Sequence, residues 1–213
     1  MGTPACVISA AAVFLLVTVA EVRAAEGDPA HGKTVAQKYW CYRCHGATGQ
    51  SANPHIPILA GQQPNYIKIQ ILYFQQDPPS GGDGTKSYRT HRSMGYNARR
   101  LRQDEIADIA AYYASQTCHR SGDPIEAPPP PVTVIEECTQ CHGEDGFGRF
   151  DQVPNLAGQN RLYLLNQLLH FAGRDEPGAG DRRRHPIMNR IAAGLTDDEI
   201  ASVATHFANM DCR

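Results

Sequence analysis

The chain has 213 residues, with 20 lysines and arginines against 22 aspartates and glutamates, a formal net charge of −2. That length suits one large or two small domains, and a balance so close to neutral excludes the basic face that nucleic-acid binding needs. The charge is unevenly spread, since residues 25–121 carry 11 basic and 7 acidic side chains (+4) while residues 122–213 carry 8 and 14 (−6) and no lysine. Ends of opposite sign can orient a molecule as it approaches charged partners.

The chain opens on an apolar run from Ala5 to Ala20, followed by Glu21-Val22-Arg23-Ala24. Val22 and Ala24 match the small-residue pattern of a signal-peptidase site, so residues 1–24 read as a signal peptide cleaved near Ala24 and the mature chain as periplasmic. The run is short for a membrane span, which needs about 20 residues. No lysine or arginine precedes it, which keeps open the competing reading of a retained anchor with peripheral membrane association. Cys6 stands at the start of the run rather than after it and does not read as a lipid attachment site.

Beyond it, Asp28 is placed as an N-cap and Pro29 as the first residue of a helix, and residues 29–40 lead to Cys41. There stands the first of two CxxCH motifs, Cys41-Tyr42-Arg43-Cys44-His45; the second is Cys138-Thr139-Gln140-Cys141-His142. Two cysteines at this spacing reach the two vinyl groups of one haem and hold it as thioethers, and the adjacent histidine meets the iron as proximal ligand. A zinc site would need each motif to recruit a further ligand pair from far away. The pattern therefore predicts two covalent haem c groups, carried by Cys41, Cys44 and His45 and by Cys138, Cys141 and His142.

The motifs belong to a longer repeat. Pro57-Ile58-Leu59-Ala60-Gly61-Gln62 returns as Pro154-Asn155-Leu156-Ala157-Gly158-Gln159, and Tyr66, Gln70 and Phe74 return as Tyr163, Gln167 and Phe171, all offset by 97 like the motifs. Ile67, Ile71 and Phe74, and in the second copy Leu164, Leu168 and Phe171, mark the buried stripe of a helix. After Gly/Pro-rich loops at residues 75–93 and 172–187 the offset becomes 94, relating Met94, Leu101, Glu105-Ile106-Ala107 and Cys118 to Met188, Leu195, Glu199-Ile200-Ala201 and Cys212. The three-residue difference falls in loops, where length changes are tolerated. The division is thus residues 25–121, a linker at 122–131 and residues 132–213. The linker ends in four prolines and reads as an extended, fairly stiff connector.

In the second copy the helix before the haem motif is clipped to residues 132–137. The last helix opens with Thr196-Asp197-Asp198-Glu199, a capping box, with Leu195 and Ile200 placed for a hydrophobic staple. Arg102 stands where the first copy needs the capping Thr, so its cap is poorer. No alternating run long enough for a strand appears, and the predicted fold is helix and loop around haem. Each iron needs a sixth ligand. Met94 and Met188 occupy equivalent positions, and a thioether raises the reduction potential. His91 and His185, three residues earlier, are the rivals, and bis-histidine ligation would lower the potentials. His31, His55 and His170 read as ordinary surface or core residues, and Met210 as a core or surface residue of the last helix. Cys118 and Cys212, left over in an oxidising compartment, suggest a disulfide.

Taken together, CHGxxG, PxLAGQ, YxxxQ and a Met before AxxLxxxEIA, each present twice, resemble the two-domain cytochrome c4 family over essentially the whole mature chain. The resemblance implies an all-α fold of two tandem class I cytochrome c domains. It also implies His45/Met94 and His142/Met188 as axial pairs, with the Pro57 and Pro154 carbonyls accepting from the proximal imidazoles. The longer loop before Met94 departs from that pattern. The implied function is a periplasmic carrier moving one electron per haem from a quinol-oxidising membrane complex to a terminal oxidase. The alternatives are an electron-transfer subunit of a dehydrogenase acting on a sulfur compound or an alcohol, and a dihaem enzyme such as a peroxidase or thiosulfate dehydrogenase, with no nucleic-acid partner in any of them.

Overall fold

The computed structural model describes residues 27–76, 87–174 and 182–213; the N-terminal apolar run and the cleavage expected near Ala24 lie outside these residues. The first half consists of α1 (Pro29–Lys38), α2 (Tyr42–His45), α3 (Pro64–Gln75), β1 (Tyr88–Thr90), α4 (Arg92–Ala98) and α5 (Gln103–Ala114). The second half repeats the order with α6 (Val132–His142), α7 (Arg161–Phe171), β2 (Arg182–Arg184), α8 (Pro186–Ala193) and α9 (Asp197–Asn209).

The Asp28 side chain accepts the Ala30 N–H and Pro29 opens α1. Val35 and Ala36 then pack under Ile106, Ile109 and Ala110 of α5 in the first core. Gly32 allows this approach, because a Cβ there would lie 2.0 Å from the Asp108 carbonyl oxygen. Ile67, Ile71 and Phe74 are buried on α3, as are Leu164 and Phe171 on α7; Leu168 is half-buried against the second core. Leu195 and Ile200 are both buried.

Two features depart from the sequence expectation. The helix before the second haem motif is not clipped but runs unbroken through His142. In the first half Trp40 sits at φ 59, a left-handed conformation that separates α1 from α2, whereas its counterpart Glu137 continues the helix. Met94 and Met188, which follow the two Gly/Pro-rich loops, lie within short helices, α4 and α8. The second departure is that β1 and β2 pair antiparallel across the halves, with Arg89 opposite Arg183. Three-residue strands without apolar alternation carry no periodic signal, and they form because each supplies the other's backbone partners.

The ladder belongs to a pseudo-symmetric interface. Arg89 donates to Gln70 of its own half and across to the Tyr163 hydroxyl (2.8 Å) and the Gln167 side-chain carbonyl (3.1 Å). Arg183 mirrors it, donating to Gln167 and across to the Tyr66 hydroxyl (2.5 Å) and Gln70 (3.3 Å). Each guanidinium also lies over an aromatic ring of its own half, Arg89 over Phe74 and Arg183 over Phe171. The linker is pinned as well, since Ile125 and the Asn209 amide exchange two hydrogen bonds of 2.8 Å. Finally, Cys118 and Cys212 form a disulfide between the halves, with Cα atoms 5.6 Å apart. Gly61 and Gly158, both at positive φ, lie against its two ends, and a Cβ on Gly158 would meet the Cys212 sulfur at 2.7 Å.

The capping box at α9 is complete: the Thr196 hydroxyl accepts the Glu199 N–H and the Glu199 carboxylate accepts the Thr196 N–H. Thr196→Ala leaves the Glu199 N–H without that acceptor and is expected to cost about 1 kcal/mol. The check is a lower urea midpoint with an unchanged slope.

Candidate functional site

His45 closes α2 and His142 closes α6, each followed by a glycine at positive φ that turns the chain away. Both rings are buried. The His45 Nδ1 lies 3.1 Å from the Pro57 carbonyl and the His142 Nδ1 3.1 Å from the Pro154 carbonyl. A carbonyl only accepts, so Nδ1 carries the proton and Nε2 keeps its lone pair. Burial pushes the His45 basicity down to about 4, against the opposing pull of the Pro57 carbonyl, with Arg89 and His91 lowering it further. Burial also lowers His142, opposed by the Pro154 carbonyl and assisted by Arg183. Each half therefore presents a neutral imidazole whose orientation is fixed by a backbone acceptor, the form in which histidine ligates a metal.

Cys41, Cys44, Cys138 and Cys141 carry free thiols. Cys41 and Cys138, the half-buried ones, pack against the two cores, and burial raises both to about 11. Cys44 and Cys141 are exposed. Among the described residues no three His, Cys, Asp or Glu side chains are grouped to hold a metal ion unaided, so the zinc reading of the motifs has no ligand set. Two thiols and one oriented imidazole per half suit a haem c. The Tyr113 hydroxyl is buried without a partner in the polypeptide, close enough to the Cys41 thiol to feel its charge. A buried hydroxyl of this kind calls for an acceptor supplied by another group. Phe207, its counterpart in the second half, has no hydroxyl to satisfy and lies 6.5 Å from the His142 ring.

Met94 is half-buried against the first core, and Met188 is half-buried on α8. The two rival histidines serve as helix caps. The His91 Nδ1 accepts the Met94 N–H (3.2 Å) and the His185 Nδ1 accepts the Met188 N–H (3.5 Å), each at the start of the helix that carries the methionine. Sequence reasoning misses this capping role, and it misses Arg89 and Arg183 altogether. A signal exists for both pairs, because each is related by the same 94-residue offset as the methionines.

The cytochrome c family model matches residues 29–117 and 132–211. Cytochrome c4 of Thiocapsa roseopersicina is 31% identical over 198 residues, covering 86% of this chain and 93% of the relative. The thiosulfate dehydrogenase electron acceptor of Stutzerimonas stutzeri is 29% identical over 207 residues, covering 94% of this chain and 93% of the relative. Among solved structures, reduced recombinant cytochrome c4 from Pseudomonas stutzeri superposes with a TM-score of 0.66 at 25% identity, covering 86% of this chain and 99% of that one.

Proposed function

The chain belongs to the cytochrome c4 family of dihaem electron-transfer proteins, and on that premise we propose that it is a periplasmic carrier between a respiratory donor complex and a terminal oxidase. The observation that carries this reading is the paired, buried, carbonyl-oriented imidazole that follows two free thiols in each half. Cys41 and Cys44, and Cys138 and Cys141, hold the two haem c groups as thioethers. His45 with Met94, and His142 with Met188, would ligate the two irons. When bound, each haem supplies an iron that gains and loses one electron with little rearrangement.

The chain's own contribution is to keep that iron closed. The Pro57 and Pro154 carbonyls fix each proximal ring, and His91 and His185 fix the first turn of the helix bearing each methionine. An iron held by both of these protein ligands would offer no coordination position to a reactant. Docking is weak and fast through a small patch, with the opposite charge of the two halves orienting the approach. The residues divide as 25–121, 122–131 and 132–213, after a leader at 1–24. Among the described residues no helix is long and apolar enough to cross a membrane.

A second reading is favoured by the relative named as a thiosulfate dehydrogenase electron acceptor, which matches nearly the full chain: the donor would then be a dehydrogenase acting on a sulfur compound. Stopped-flow reduction by that enzyme and by a quinol-oxidising complex separates the two donors.

The near-infrared sulfur-to-iron band tests the ligands. Met94→His or Met188→His is expected to remove the band from one haem and lower that haem's potential; an unchanged band in both variants would refute the assignment. Ready binding of carbon monoxide or peroxide by the native protein would replace the carrier with an enzyme.

A further inference from the structure

A set of side-chain to backbone contacts between the halves converges on the two prolines whose carbonyls hold the proximal rings. Gln159 of the second half is buried, and it reads the backbone of Ile58 twice, accepting its N–H (2.7 Å) and donating to its carbonyl (2.9 Å). Its neighbour Asn160 donates to the carbonyl of Ile56 at 2.7 Å. Pro57 is thus gripped on both flanks by two consecutive side chains of the other half. The reverse arrangement is equally complete. Gln62 accepts the Asn155 N–H and donates to its carbonyl, both at 2.9 Å, and Gln63 donates to the Val153 carbonyl at 3.0 Å. These flank Pro154. All four side chains and all four backbone targets are related by the 97-residue offset.

A carbonyl can orient an imidazole only as firmly as its own peptide is held. Within its own half, each proline lies in an irregular segment between the haem motif and the next helix. Its own half binds the N–H groups of Ile56 and Leu59 around Pro57, and of Val153 and Leu156 around Pro154, while the partner half's amides take the carbonyls on both flanks and the N–H of Ile58 and of Asn155. Buried bonds to backbone groups have nowhere to go when the amide is removed, so their loss is not made up by water.

We infer that each half tunes the iron of the other: Gln159 and Asn160 position the Pro57 carbonyl on His45, and Gln62 and Gln63 position the Pro154 carbonyl on His142. These four are positioning residues, acting through the proline and never touching the haem. The hydrogen bond from Nδ1 raises the basicity of a ligating imidazole, and greater basicity favours the oxidised iron. Loosening the carbonyl therefore raises the potential of the half opposite the substitution. The consequence is a dihaem protein whose two potentials are set by one shared interface, so that a partner disturbing the interface alters both.

The inference rests on the reading of His45 and His142 as proximal ligands. The test uses the full-length, haem-loaded protein carrying Gln159→Met, which keeps length and apolar volume but removes both bonds to Ile58. Proton NMR follows the two imidazole Nδ1–H signals, and a redox titration in the same tube identifies each iron by the paramagnetic loss of its own signal. Gln159→Met is expected to speed exchange of the His45 proton by about tenfold and to raise the potential of the first half, leaving His142 unaffected. Gln62→Met gives the mirror result. Asn160→Ala, which removes no helix cap, gives a smaller shift in the same direction and serves if Gln159→Met does not fold. A shift confined to the substituted half, or no shift in either, overturns the inference. Failure of the ligand reading looks different, because the unsubstituted protein would then show no imidazole signals that respond to oxidation.

Discussion

Replacing Cys118 and Cys212 together by serine is expected to lower stability by about 4 kcal/mol, the cost of releasing a closed loop of nearly a hundred residues. The bridge spans 94 residues and joins the end of the first half to the end of the second. In the unfolded chain it confines nearly all of the second half to one loop, and this, more than any contact made by sulfur, is the source of its effect. Packing adds to it. The two sulfurs lie in a small core with Ile58 and Ala60, next to the paired glycines Gly61 and Gly158. Serine hydroxyls would stand in that apolar setting with few acceptors, a further cost. Urea unfolding of the oxidised protein and of the double variant measures the difference. A loss below about 1 kcal/mol would mean that cutting the bridge frees the unfolded chain very little, and would remove loop confinement as the source of the effect.

The haem motifs, the equivalence of Met94 with Met188 and the buried stripes of α3 and α7 can all be read from the chain, because each depends on local spacing or on a repeat. The interface is legible only in part. Tyr66, Gln70 and Gln62 stand out as repeated residues, but repetition does not say whether a side chain faces its own core or the other half. Arg89 and Arg183 show the limit. Each lies in a three-residue strand that exists only because the other is present, and among the described residues neither has a carboxylate partner. Two like charges placed opposite each other in a ladder are unfavourable on their own. Here phenol and amide oxygens from both halves surround them, a long-range arrangement that no window of sequence contains. The unbroken α6 is hidden for a different reason. The first copy breaks at Trp40 by adopting a left-handed backbone that nothing in an aromatic residue announces.

The repeat also hides a difference between two equivalent glutamates, and this carries the second large effect. Glu105 and Glu199 occupy the same position in α5 and α9, and both accept the N–H of their cap residue. Glu199 does so at a helix end whose cap, Thr196, is exposed, whereas Glu105 is only 1% exposed and also takes hydrogen bonds from Lys38 (2.9 Å) and the Tyr39 hydroxyl (3.2 Å). Burial pushes the Glu105 carboxyl up, but the Arg102 N–H and then Lys38 pull it down further, and the result lies below the ordinary value of 4.5. A carboxylate held below its unfolded value stabilises the fold fully above that unfolded value, and the contribution is lost as pH falls through the depressed one.

Glu105→Ala is expected to cost about 3 kcal/mol near neutral pH, chiefly the charged acceptor of the Arg102 N–H and the cavity left behind. The larger penalty of stranding a buried partner does not arise, because the Lys38 side chain is 55% exposed and returns to water and the Tyr39 hydroxyl keeps the Arg100 carbonyl as an acceptor. Glu105→Gln keeps the shape and one acceptor, and is expected to cost about 1–2 kcal/mol. The pH dependence identifies the cause. Urea midpoints of the native protein and the Gln variant should converge as pH falls from neutrality through the depressed Glu105 value, since a protonated Glu105 offers little more than the amide does. A gap that stays constant over that range would assign the loss to packing and remove the carboxylate charge from the account.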